Sequence, residues 1–71
     1  MAALTRHTIT RTGSRRFPWR LVILSPGGLE LINWKIRTKR IAEALALAQW
    51  DVELWTYYVT VKHFDDIDKS R

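Results

Sequence analysis

The apolar positions of this chain fall into short runs separated by turn-forming residues, and each run has its own period. Residues 4–12, Leu-Thr-Arg-His-Thr-Ile-Thr-Arg-Thr, are rich in β-branched side chains, which predicts a polar edge strand. Gly13-Ser14-Arg15-Arg16 interrupts it, and Pro18 stiffens the far side of the break. Trp19 to Ser25 holds four consecutive apolar residues, Leu21, Val22, Ile23 and Leu24, as expected of a strand covered on both faces. Pro26-Gly27-Gly28 makes a tight turn, and Leu29 to Trp34 returns with Leu29 and Leu31 alternating about Glu30. The pair predicts a hairpin.

The period then changes. Thr38 is placed to cap a helix, its hydroxyl accepting from a backbone amide two or three residues on. Lys39 to Gln49 is built largely of alanine and leucine, strong helix formers. Ile41, Ala44, Leu45 and Ala48 fall at i, i+3, i+4 and i+7 and predict one buried stripe. Leu47 flanks it, with Glu43, Ala46 and Trp50 on the far side. After Asp51, Trp55, Tyr57, Val59 and Val61 alternate, so Val52 to Phe64 reads as a fourth strand. Residues 65–71 are acidic and polar and are expected to fray.

The expected architecture is α+β, a single domain over residues 1–64 in the order β-β-β-α-β, followed by the tail. A right-handed crossover through the helix makes strands three and four parallel. Placing strand four beside strand one gives the sheet order 4-1-2-3, with one helix on one face. One helix buries either Leu21 and Ile23 or Val22 and Leu24, not both sets. An uncovered apolar face predicts a missing layer, and hence a homodimer packed sheet on sheet.

Composition narrows the class. The 71 residues are enough for one core and no more. There is no cysteine, so neither disulfides nor thiolate zinc sites are possible. With 46% hydrophobic residues and four tryptophans the chain is too apolar to be intrinsically disordered. No apolar run approaches the ~20 residues of a membrane span. Arg6, His7 and Arg11 break up the start, which does not read as a signal peptide. A cytoplasmic setting without membrane contact is expected.

Charge is divided along the chain. The first forty residues carry nine lysines and arginines against Glu30, 9 − 1 = +8, and residues 41–71 carry three against six acids, 3 − 6 = −3. Such a division gives a positive end that can meet a polyanion. One basic cluster is Lys35, Arg37, Lys39 and Arg40, at the predicted helix start. Cations there forfeit roughly 0.3–1 kcal/mol each against the macrodipole, which makes sense if an anion docks at the same place. The other is Arg11, Arg15, Arg16 and Arg20, mobile arginines on a hairpin tip beside Phe17 and Trp19, suited to phosphate contacts and base stacking.

Catalytic patterns are absent. His7 and His63 have no nucleophile or metal pattern around them, and Ser14, Ser25 and Ser70 lie outside any G-x-S-x-G context. Asp65-Asp66-Ile67-Asp68 lacks the glycine and distal glutamate of a calcium loop. No enzyme activity, metal or cofactor is expected.

Three antiparallel strands followed by a helix resemble, in element order, the small sheet-type DNA-binding domains of integrase N-termini and of a family of plant transcription factors. That resemblance implies a sheet face reading the major groove, and the fourth strand departs from it. The size and the basic, tryptophan-rich composition are also similar to accessory proteins of phages and mobile elements. The expectation is a non-enzymatic nucleic-acid-binding protein acting on DNA as an accessory or regulatory factor, with the two clusters on phosphates. The alternative is a module that binds or inhibits an acidic protein partner through an apolar face, with Leu21, Ile23 and Trp50 in contact.

Overall fold

The computed structural model describes residues 5–69. Leu4, expected to open the first strand, and residues 70–71 of the expected tail lie outside the described residues. Strands β1 (Arg6–Arg11), β2 (Trp19–Leu24) and β3 (Glu30–Ile36) form an antiparallel meander. Helices α1 (Lys39–Ala48) and α2 (Val52–Tyr57) follow, and α2 runs on as a π-helical turn over Tyr58–Lys62. A 3-10 turn, Phe64–Asp66, leads into a two-residue strand β4 (Ile67–Asp68). The sheet order is β1-β2-β3-β4, with every neighbour antiparallel. The α+β class is as expected. The order 4-1-2-3 and the parallel fourth strand are not.

The reason is a second helix where a strand was expected. Asp51 caps it, its Oδ1 accepting from the Leu54 amide at 3.1 Å. The residues it turns inward are Trp55, Tyr58 and Val59, spaced i, i+3 and i+4, while Tyr57 and Val61 of the alternating set stay exposed. Thr56 returns its hydroxyl to the Val52 carbonyl at 2.8 Å, a bond that only helical geometry brings within reach. The crowded β-branched run Val59-Thr60-Val61 is accommodated by widening, and the His63 amide bonds the Tyr58 carbonyl five residues back at 2.8 Å. One helix would return the chain to where β3 begins, forcing a parallel strand. Two helices return it to where β3 ends, so β4 pairs antiparallel, Ile36 with Ile67 and Lys35 with Asp68.

Both helices cover the same sheet face. Leu21, Ile36 and Leu45 are fully buried in the core with Ile23, Ala42, Ala46, Val59 and Ile67 around them. Burial of each large aliphatic side chain contributes about 1.5–3 kcal/mol. The buried stripe of α1 is rotated from the expected one: Ala42 and Ala46 are buried together with Leu45 and Ala48. Small residues there let the helix lie close over β2. Trp34 and Trp55 stack with centroids 5.6 Å apart and tie α2 to β3.

The other face of the sheet is open, yet it is not the apolar layer that pairing two sheets would need. Its register rows are Thr10–Arg20–Lys35–Asp68, Thr8–Val22–Asn33 and Arg6–Leu24–Glu30. Val22 and Leu24 are half-buried among those polar neighbours. Acidic residues 65–68 do not fray: Ile67 is buried in the core and holds the segment against β3. Among the described residues no helix is long and apolar enough to cross a membrane.

Candidate nucleic-acid interface

The two basic clusters, distant in sequence, meet at one end of the sheet. Arg11 closes β1 and is the cross-strand partner of Trp19, and its guanidinium lies 4.8 Å from the centre of the indole. Lys39 opens α1, and its Nζ lies 5.7 Å from the same ring. Trp19 is half-buried and joins hairpin to helix start. Each such cation–π contact contributes roughly 0.5–1 kcal/mol at exposed positions.

The loop between β1 and β2, which carries Arg15 and Arg16, is pinned rather than mobile. The Thr12 amide donates to the Pro18 carbonyl at 2.9 Å, and the Thr12 hydroxyl donates to the Phe17 carbonyl at 2.6 Å. The same hydroxyl accepts from the Ser14 amide at 3.0 Å, and the Ser14 hydroxyl accepts from the Phe17 amide at 3.2 Å. Gly13 takes φ +81°, a left-handed conformation that a side chain would strain. Four polar side-chain and backbone bonds thus fix a loop whose two arginines are exposed, so little backbone entropy of the loop remains to be lost when they bind.

Thr38 caps α1 as expected, its Oγ1 accepting from the Ile41 amide at 3.1 Å. No acidic residue occupies the first turn, so Lys39 and Arg40 stand beside the free amides there, with Glu43 the one carboxylate of the helix, a turn further on. On the open sheet face Arg20 and Lys35 are cross-strand neighbours. Arg20 donates to the Asn33 side-chain oxygen, and Asn33 Nδ2 donates to Glu30 Oε1 at 3.2 Å. Asn33 was not among the expected site residues. Its place opposite Val22, one row from Arg20, follows from register that the sequence does not display.

The C-terminal segment brings acids to the same end. Arg37 forms an ion pair with Asp66, Nε to Oδ1 at 3.3 Å, and donates its amide to the Asp66 carbonyl at 2.9 Å. His63 Nδ1 lies 3.5 Å from the other Asp66 oxygen. Against Asp65, Asp66 and Asp68 stand Arg11, Arg15, Arg16, Arg20, Lys35, Arg37, Lys39, Arg40 and Lys69, so this end retains 9 − 3 = +6.

Of the expected contact residues on the apolar side, Leu21 and Ile23 lie in the core, 0% and 3% exposed, because α1 covers their face. Leu21 offers no free surface, and Ile23 only part of a cavity wall. Trp50 is exposed in the turn between α1 and α2. No three histidine, aspartate or glutamate side chains among the described residues are grouped so as to hold a metal ion.

Comparison with family models, with curated proteins and with solved structures finds no match in any of the three. The likeness of element order to sheet-type DNA-binding domains therefore carries no shared motif or fold match, and the basic end must be interpreted from its own geometry.

Proposed function

We propose that this protein is a non-enzymatic nucleic-acid-binding factor that contacts DNA phosphates with its basic end. The observation that carries this reading is the convergence of hairpin and helix-start cations around Trp19. Phosphates favour such a place on three counts: exposed guanidinium groups, free amides at a helix N-terminus, and a loop already ordered. The role is that of an accessory or regulatory protein acting in the cytoplasm. Its test is fluorescence anisotropy with a short DNA duplex across a range of salt. Binding should weaken with a slope of about −0.9 for each phosphate neutralised. Absence of binding at low salt, to the duplex and to its separated strands alike, rejects the reading.

A second reading, a module that docks a protein, is favoured by the opposite end. There a cavity of about 300 Å³ is lined by Ile23, Ile32 and Trp55, with Leu31 and Val52 at 50% and 79% exposure. Leu29 and Trp50 are exposed close by in sequence. Pairing of two copies through the open sheet faces would set Arg20 and Lys35 of each against the other, so we take the single chain as the binding unit. Light scattering at micromolar concentration separates one chain mass from two.

A further inference from the structure

A groove of about 360 Å³ runs between the β1–β2 loop and the C-terminal segment. Arg16 and Phe17 line it from the loop, and Phe64, Asp65, Asp68 and Lys69 from the segment. We propose that this groove is a nucleobase site, so that the ligand of the basic end is DNA with unpaired bases rather than closed duplex. The proposal rests on the nucleic-acid reading above and adds the kind of nucleic acid.

Phe64 is 58% exposed and stands outside the core cluster. Phe17 is half-buried and belongs to the pinned loop itself. Neither ring stacks on another aromatic among the described residues; each is instead met by a cation. The Arg16 guanidinium is 5.5 Å from the centre of Phe17, and Lys69 Nζ is 5.7 Å from the centre of Phe64. Lys69 is held in place, since the same Nζ donates to the Val59 carbonyl at 3.4 Å and lies 5.4 Å from the Trp34 ring. Aromatic rings beside fixed cations are what a base on a phosphate backbone requires: a flat apolar face to stack on, and positive charge one sugar away.

The carboxylates sharpen the assignment. Asp65 and Asp68 line the groove together with Arg16 and Lys69, so a phosphate inside it would meet as much negative charge as positive, whereas Arg15 on the same loop is exposed and outside the lining. A base inside meets acceptors that suit its exocyclic amino and ring N–H groups. Charge therefore sorts the two parts of a nucleotide, the backbone to the rim and the base to the interior. In a duplex the same base edges are already paired and the π-faces stacked, so the groove has nothing to take.

The test compares a ten-nucleotide single strand of mixed sequence, its duplex, and the same strand with its central bases removed to leave abasic sugars. All three keep the phosphate backbone, and anisotropy is read at fixed salt with the full chain. The intact strand should bind more tightly than the duplex, although the duplex has the higher charge density. Removing the bases should cost roughly tenfold in affinity, within the range of one stacked base. Phe64→Ala should cost the intact strand the same factor and cost the abasic strand nothing further, while Phe64→Trp keeps binding. Equal affinity for intact and abasic strands, with salt dependence retained, overturns the nucleobase site and leaves the phosphate reading standing. No binding to any of the three overturns both.

Discussion

The two ends of the sheet are built from different materials. From the middle of the sheet to the end where β2 finishes, the structure is held by apolar contact: the Trp34–Trp55 stack, the core beneath α1, and the cavity bordered by Leu31 and Val52. At the other end polar connections join the buried Ile36–Ile67 contact. They are the Thr38 cap, the four bonds that pin the β1–β2 loop, the Arg37–Asp66 pair and the cations over Trp19. Burial supplies most of a small domain's stability, so the exposed cations of the basic end are free to serve binding while the packed side chains of either end are not.

Substitutions at each end should separate stability from binding. The largest effect is expected for Trp55→Ala, which removes the partner of Trp34 and a wall of the cavity. It should cost about 3 kcal/mol of stability in urea unfolding, toward the low side for a large aromatic because Trp55 is only half-buried. A loss below ~1 kcal/mol would mean that the stack does not anchor α2. Next is the pair Arg15→Ala with Arg16→Ala, for which DNA affinity should fall about tenfold near physiological salt and the salt slope should shallow by roughly 1.8, two phosphates' worth. Unfolding should move by less than ~0.5 kcal/mol, since both side chains are exposed and away from the core. If stability falls while affinity holds, the loop serves the fold instead.

Smaller effects test how the two basic clusters are joined. Thr38→Ala should cost about 1 kcal/mol through the lost bond to the Ile41 amide, read as a lowered urea midpoint with DNA contacts kept. Lys39→Glu involves two terms of opposite sign. A glutamate in the first turn gains roughly 0.3–1 kcal/mol from the macrodipole, but the contact with Trp19, of about the same size, is lost. Net stability should therefore change by less than ~0.5 kcal/mol while DNA affinity drops. A clear stabilisation would show that Lys39 gains nothing from Trp19.

Much of this division could be read from the sequence, and the part that could not has identifiable causes. Gly13 and Pro26-Gly27-Gly28 punctuate the meander, and Thr38 followed by an alanine-leucine run marks α1. Those elements lie where the pattern puts them. The run Val52 to Phe64 satisfied two periods at once. Its β-branched residues and the alternation of Trp55, Tyr57, Val59 and Val61 favoured a strand, whereas the cap at Asp51 and the Trp55–Tyr58–Val59 spacing belonged to a helix. With that segment assigned to a strand, β4 had no visible place, and three aspartates concealed Ile67 as a core residue. The cations of the site were legible from composition alone. Their meeting over Trp19, the Arg20–Asn33 bond and the groove between Phe17 and Phe64 depend on register and on the return of the chain through α2, which no local pattern records.

The most direct measurement is an amide-resolved NMR titration of the labelled protein with single-stranded DNA. The account predicts that shifts concentrate at Arg11 to Arg20, at Lys35 to Arg40 and at Phe64 to Lys69, and that Leu29, Leu31, Trp50 and Val52 stay unmoved. Shifts confined to that second set, or spread evenly over both ends, would contradict the claim that the basic end is the binding surface.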